Sequence, residues 1–296
     1  MAKIIDGNKI ADEIREEIRR DVAKLAKKNV TPGLATVLVG ADPASEVYVR
    51  MKRRDCADLG IQSFDHNLPA TLSQKKLLEL IESLNADPRV HGILVQLPLP
   101  KQINEAAVLN AIDPRKDADG FHPINVGKLL NGEEAFLPCT PKGCQQMLMR
   151  SGYDPAGKHV VVVGRSNIVG KPMAAILMQK AAGANATVTV CHSRTKNIAK
   201  FTKQADILIA AIGSPRFIKG SMVKDGVIVI DVGVNRVDDA SKKSGYRLEG
   251  DVDFKTVSKK ARAISPVPGG VGPMTRIMLM QTTVEAARRI SAETGC

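Results

Sequence analysis

The strongest constraint on the fold is a set of short, unbroken apolar runs rich in β-branched residues: VVVV at 160–163, ILIAAI at 207–212 and VIVI at 227–230. A strand with one wet face alternates polar and apolar side chains. Runs without alternation fit strands covered on both faces, the habit of parallel sheets sandwiched between helices. The first half spells out the same architecture. Ile10, Ile14, Ile18, Val22 and Leu25 recur at helical spacing and predict an amphipathic helix over 8–28. GLATVLVG (33–40) reads as a buried strand, and ADPAS then turns with Ser45 as the N-cap of a helix to Leu59. IQSFDHNL is the next strand, Ser73 caps a helix through LLELIESL, and VHGILVQLPLP is a strand running into prolines. This β-α-β-α-β order implies parallel strands joined by right-handed crossovers. The second half repeats the alternation, with strands at 159–163, 187–191, 206–211 and 227–232, a helix at 170–182 and a last helix from Pro273. Residues 113–143 read as a linker. The fold class is α/β, and 296 residues are comfortable for two domains.

Composition removes several function classes. With 44% hydrophobic and 25% charged residues the chain reads as an ordinary soluble globular protein. No stretch approaches the roughly 20 apolar residues that span a bilayer. The start, MAKIIDGNKIADEI, has no apolar core of an export signal. Five cysteines, irregularly spaced, fit a reducing compartment, so a cytoplasmic location is expected. CTPKGC gives Cys139 and Cys144 a ligand-like spacing, but no second pair or histidine cluster accompanies them, and no metal is expected. The net charge of +12 suggests a polyanionic partner. Nucleic acid is not expected: the basic residues are spread along helices, aromatics are 3% and tryptophan is absent. A soluble polyanionic substrate is the alternative use of the same field.

VVVGRSNIVGKP (161–172) stands at a strand-to-helix junction, where helix N-terminal amides attract phosphate. It is not a Walker A loop, because five residues separate Gly164 from Gly170 and Pro172 replaces the magnesium-binding hydroxyl. It also departs from the usual dinucleotide fingerprint, with Ser166 in place of the second glycine. The following strand ends in CHSRT, without the carboxylate that grips a ribose 2′-hydroxyl. Arg165, Ser166 and Ser193 would instead suit a 2′-phosphate, so NADP is expected over NAD. Arg194 is as readily a solvated charge, and the loop alone is also compatible with an ordinary strand–helix turn. In the first half, Tyr48 and Lys52 are four apart and share a helix face. They form either a site pair or a surface lysine beside a half-buried tyrosine. Gln96 ends a buried strand on the edge where open α/β sheets hold ligands. Asp117 and Asp119 lie in PRKDADGFHPIN, where turn formation is explanation enough. PVPGGVGPMT (266–275) is stiff and permits close backbone approach, or is simply a turn into the last helix.

Taken together, YVRMK, VQLPLP, KDADGF, PCTPKG, VVVGRSNIVGKP, CHSRT and SPVPGGVGPMT resemble, in order and over nearly the whole chain, the signature segments of the bifunctional methylenetetrahydrofolate dehydrogenase/methenyltetrahydrofolate cyclohydrolase family. The resemblance implies a homodimer of two α/β domains with a cleft between them. The domains would be a folate-binding catalytic domain over 1–138, completed by a helix at 273–296, and a Rossmann-like, doubly wound NADP-binding domain over 139–272. It implies oxidation of 5,10-methylenetetrahydrofolate by NADP and hydrolysis of the methenyl product to 10-formyltetrahydrofolate, and leaves no room for an appended synthetase domain. By motif, Tyr48 would stack on the folate, Lys52 would be the catalytic lysine of hydrolysis with Gln96 oriented toward it, and Asp119 would bind the pterin. Gly164, Arg165 and Ser166 would hold the cofactor, Val234 would lie near the nicotinamide, and Pro268, Gly269 and Gly270 would line the cleft. His192 is expected to be structural. Lys52 is expected to work with a lowered pKa, driven by the mechanism and by neighbouring Arg50, Arg53 and Arg54. The +12 charge would then serve the polyglutamate tail of the folate. A dehydrogenase without the hydrolase is the alternative.

Overall fold

The structure, a computed structural model, describes residues 2–40, 43–242 and 245–294. In chain order the elements are β1 (Lys3–Ile4), α1 (Gly7–Ala26), β2 (Gly33–Val39), α2 (Pro43–Leu59), β3 (Gln62–Leu68), α3 (Gln74–Ala86), β4 (Gly92–Val95), α4 (Glu105–Ala111), α5 (Pro123–Asn131) and α6 (Cys139–Arg150). There follow β5 (His159–Val163), α7 (Gly170–Leu177), β6 (Thr187–Cys191), α8 (Ile198–Thr202), β7 (Ile207–Ala210), β8 (Ile228–Asp231), β9 (Asn235–Asp238), β10 (Tyr246–Glu249), α9 (Phe254–Val257), β11 (Ala263–Ile264) and α10 (Val271–Thr294). They fall into two compact units, Met1–Asp12 with Thr140–Thr275, and Glu13–Cys139 with Arg276–Cys296.

The second of these is built on a three-stranded parallel sheet in the order β3-β2-β4. All seven residues of β2 are buried, which is why its sequence is apolar without alternation. On one side Ala35, Val37, Ile93 and Val95 pack with Leu77, Ile81 and Leu84 of α3 in one hydrophobic cluster. Ser73 caps α3 as its sequence predicts, accepting from the Lys76 amide. The far end of α3 is closed by the buried Lys116, whose Nζ donates to the carbonyls of Leu84, Asn85 and Asp87. The stretch 113–143 is more ordered than a linker. Lys116 O accepts from Ile93 N at 2.7 Å and Asp117 bridges Ile93 in parallel, so KDADG runs beside β4 like a further strand. It then enters α5, whose N-cap is His122 with proline in the first turn and whose C-cap is the left-handed Gly132.

The other unit carries a six-stranded, wholly parallel sheet in the order β1-β11-β8-β7-β5-β6. Strand order reverses at β5: β6 lies on one flank and β7 with β8 on the other. In doubly wound sheets the carboxyl ends of strands at such a reversal frame the ligand crevice. The apolar runs that open the sequence argument are the central strands, with Val160–Val163 and Ile207–Ala210 almost wholly buried. Strands 159–163 and 187–191 coincide with the expected limits. Helix α7 stops at Leu177 rather than 182, and α10 starts at Val271 rather than Pro273. Helix α2 starts at Pro43, so Ser45 lies inside it; the Ser45 side chain and Cys296 lie outside the described residues. Among the described residues no helix is long and apolar enough to cross a membrane.

Candidate active site and dinucleotide cavity

Lys52 projects from α2 into the interior of its unit and is only 8% exposed. Its Nζ donates to Gln96 Oε1 at 2.9 Å, and Gln96 in turn donates through Nε2 to the Leu97 carbonyl. Gln96 is held at the end of β4 because its own amide donates to Val37 O. Three of the expected residues, Lys52, Gln96 and Asp119, therefore lie in one neighbourhood. Burial holds Lys52 below the ordinary lysine range, with Arg276 acting in the same sense and the Asp119 charge opposing it. The expected direction is right but the stated cause is not. Arg50, Arg53 and Arg54 are exposed on the outer face of the helix, and desolvation dominates. Asp119 is pushed up to about 6, first by desolvation and then by Asp117, against the pull of Lys52. Tyr48, one turn before Lys52 on α2, is 38% exposed.

The two aspartates of KDADG do different work. Asp117 is buried and accepts from the amides of Phe121 (3.1 Å) and His122 (2.8 Å) and from Asn125 Nδ2 (2.8 Å), so it builds the loop. Asp119 is the member whose charge acts on Lys52. The intervening turn needs Gly120, which has a φ of +71° and whose missing Cβ would collide with the Leu137–Pro138 peptide. Behind the lysine stands a feature the sequence reading missed. Asp55, one turn further along α2, is buried and paired with Arg15 of α1 at 2.9 Å and Arg276 of α10 at 3.0 Å. Its only sequence signal is the i, i+3 spacing from Lys52. Of the two cysteines with ligand-like spacing, Cys139 Sγ donates to the Ala118 carbonyl, and burial pushes the Cys144 thiol up to about 12.

In the other unit a cavity of about 810 Å³ opens at the carboxyl ends of β5, β6 and β7. Gly164, Arg165, Ser166 and Ser193 all line it, together with Thr195, Ile212 and Ser214. Gly164 has a φ of +141°, and any side chain there would strike the Ala211 carbonyl. Ser166 closes the loop that enters α7: its Oγ accepts from the amides of Val169 (3.1 Å) and Gly170 (3.4 Å). Arg165, Ser193 and Arg194 are exposed around this strand-edge loop, a donor set of charge and hydroxyl suited to a phosphate. His192 is engaged by its own turn, accepting from the Arg194 amide while Thr195 Oγ1 accepts from the His192 amide. Val234, beyond β8 and 45% exposed, does not line this cavity. In the PGG segment Pro268 is exposed, Gly269 has a φ of +98°, and its carbonyl accepts from the Gly7 amide at 3.0 Å.

These two sites match known sequence families. The family description "Tetrahydrofolate dehydrogenase/cyclohydrolase, catalytic domain" matches residues 5–119, and "Tetrahydrofolate dehydrogenase/cyclohydrolase, NAD(P)-binding domain" matches residues 138–291. The chain belongs to the tetrahydrofolate dehydrogenase/cyclohydrolase family. A relative from Dehalococcoides mccartyi named "Bifunctional protein FolD" is 59% identical over 290 residues, 97% of each chain. The crystal structure of the bifunctional dehydrogenase/cyclohydrolase of Campylobacter jejuni superposes with a TM-score of 0.92 at 47% identity, covering 98% of this chain and 99% of that one. That of Trypanosoma brucei, described as complexed with NADP cofactor and inhibitor, gives a TM-score of 0.92 at 42% identity, covering 97% of this chain and 98% of that one.

Proposed function

We propose that this member of the family oxidises 5,10-methylenetetrahydrofolate with NADP and hydrolyses the resulting methenyl compound to 10-formyltetrahydrofolate. The observation that carries the reading is the buried Lys52, hydrogen-bonded to Gln96 and under the charge of Asp119. The bifunctional naming of relatives above half identity favours two activities over a dehydrogenase alone. The substrate unit is Glu13–Cys139 with Arg276–Cys296, and the cofactor unit is Met1–Asp12 with Thr140–Thr275.

NADP, when bound, supplies the hydride acceptor. Gly164 leaves room for a phosphate against the loop, and Arg165 with Ser193 would hold the 2′-phosphate. The chain's own residues do little acid–base work in that half; orientation dominates. The folate product is a cation, and an ammonium beside it would raise the barrier. Lys52, held neutral for part of the cycle by burial, accepts a proton from the water that adds to the methenyl carbon. It returns that proton to the ring nitrogen as the carbon–nitrogen bond opens, and the hydroxyl proton of the adduct leaves to solvent as the formyl carbonyl forms. Gln96 aims Nζ, Asp119 binds the pterin, and Tyr48 stacks on the folate. By the family resemblance Val234 would lie near the nicotinamide, and Pro268, Gly269 and Gly270 would shape the approach.

The test is NADP-dependent oxidation of methylenetetrahydrofolate by the purified protein, with NAD as control and methenyl decay followed separately. Faster turnover with NAD, or no turnover, refutes the assignment. Arg165→Ala combined with Ser193→Asp should lower the NADP/NAD preference by about 100-fold if that pair reads the 2′-phosphate. The irregular cysteines support a cytoplasmic location, the family resemblance supports a homodimer, and the +12 charge supports action on polyglutamylated folate. Sedimentation tests the dimer. A salt-independent kcat/KM with a pentaglutamate substrate would remove the tail from the account.

A further inference from the structure

We infer that Asp251 is a positioning residue for the dinucleotide: its carboxylate fills the amide nest at residues 212–214 and so fixes one wall of the cofactor cavity. The inference rests on the reading of that cavity as the NADP site. Three consecutive amides converge on Asp251: Ile212 N at 2.6 Å and Gly213 N at 2.9 Å on Oδ2, and Ser214 N at 2.9 Å on Oδ1. A fourth donor, Asn235 Nδ2, reaches Oδ1 at 2.9 Å. Successive N–H groups turned toward one point form a concavity that proteins commonly use for phosphate. Here the concavity follows β7 at the carboxyl edge of the sheet, and Ile212 and Ser214 line the cavity.

An open nest at this position would offer a second anion subsite beside the Gly164 loop. Asp251 is fully buried and occupies it from within. The three N–H dipoles are thereby spent on the protein's own anion, and the phosphates are left to the Gly164–Gly170 loop. The clamp is itself held. Asp231, at the end of β8, accepts from Asp251 N at 2.9 Å, Gly233 N at 3.1 Å and Val252 N at 3.0 Å. A Cβ at Gly233 would strike the Asp251 carboxylate, and one at Gly250 would strike that of Asp231. The chain of contacts β8, Asp231, Asp251, loop 212–214, cavity wall therefore has no slack in which the loop could drift.

The test is Asp251→Ala in the full-length chain, with direct NADP titration and separate KM values for NADP and for methylenetetrahydrofolate, each with added formate or with chloride at equal ionic strength. The expected result is a rise of about tenfold in both the Kd and the KM for NADP, with the folate KM moving less than about twofold. Formate, a free carboxylate small enough for the vacated place, should recover most of the loss and chloride should not. Should this variant fail to fold, Asn235→Ala removes one of the four donors without burying a charge and should raise the KM for NADP about threefold. Folded Asp251→Ala or Asn235→Ala with unchanged NADP affinity overturns the inference. Equal rises in both KM values without formate rescue also overturn it, since they describe a residue that only supports the fold. Arg165→Ala run in parallel separates the two levels. If it too leaves NADP affinity unchanged, the cavity is not the cofactor site and the inference falls with that reading; if it weakens binding while Asp251→Ala does not, the clamp alone is wrong.

Discussion

Replacing Lys52 with methionine separates what this side chain does for chemistry from what it costs the fold. Methionine has nearly the same length and volume, so packing on the buried face of α2 should change by less than about 1.5 kcal/mol. The substitution removes the 2.9 Å hydrogen bond to Gln96, a loss of about 1 kcal/mol. Gln96 is only half-buried, so water can satisfy the vacated Oε1. Against this stands the desolvation of the amine, the largest influence on Lys52 and worth several kcal/mol for a fully charged group. The balance is a variant as stable as the parent or more stable by up to about 2 kcal/mol at neutral pH. The sign of the pH dependence follows. A lysine whose folded pKa is depressed binds fewer protons folded than unfolded, so the parent loses stability as pH falls below the unfolded value, until the folded group also protonates. The methionine variant lacks that loss, and its advantage should grow toward acid over this window. Loss of a general acid–base should slow methenyl hydrolysis by about 100-fold or more. Denaturant titrations at several pH values and absorbance decay of the methenyl substrate measure both. Parental hydrolysis rates, or destabilisation beyond about 2 kcal/mol at neutral pH, would refute the reasoning.

Other outcomes follow from the same geometry. Asp55→Ala leaves the guanidinium groups of Arg15 and Arg276 without their shared carboxylate and should destabilise by about 3 kcal/mol in denaturant titration. Gly164→Ala meets the Ala211 carbonyl at a φ reserved for glycine, so NADP titration should show binding lost together with about 1–3 kcal/mol of stability. Asp119, pushed up to about 6 in the fold, holds a proton there that the unfolded chain has released, so its contribution is fullest below about pH 4 and is lost as pH rises through 6. Asp119→Asn should therefore be more stable than the parent by about 2 kcal/mol at neutral pH and indistinguishable from it below about pH 4, as read by thermal unfolding across that range.

Local rules carried the sequence reading where local rules decide the outcome. Unbroken apolar runs placed β5, β7 and β8, and helical spacing placed α1, whose Ile10, Ile14 and Ile18 are buried as a face. The misses have physical causes. Helix α5 is announced by HPINVGKLLNG, with its cap, first-turn proline and terminal glycine, but its loop-like neighbours hid a helix of nine residues. Helix α6 begins at Cys139, where the prolines and glycine of PCTPKG read as a turn. Spacing set Tyr48 and Lys52 one turn apart, but could not say that Lys52 is buried while Tyr48 stays exposed, and that burial is what lowers the lysine pKa. Three local arginines were the visible candidates. The one positive charge that adds to burial, Arg276, lies at the far end of the chain, and only tertiary packing sets it beside Asp55. Likewise, nothing in the spacing of KDADG says that its first aspartate is consumed by three donors while the charge of the second acts on the lysine.

The ion pair between Asp55 and Arg276 also bears on the order in which the protein can be made. The unit holding Lys52 is assembled from Glu13–Cys139 and a returning segment, Arg276–Cys296. Met280 from that segment also meets Cys56 on α2, with sulfur atoms 3.5 Å apart. A nascent chain that has emerged only as far as Cys139 thus carries the sheet, the lysine helix and Arg15, but neither the second guanidinium that answers Asp55 nor the thioether that covers Cys56. On the ribosome this half must wait, with an apolar flank bare, while the intervening dinucleotide unit is synthesised, and it can lock only when translation is almost finished.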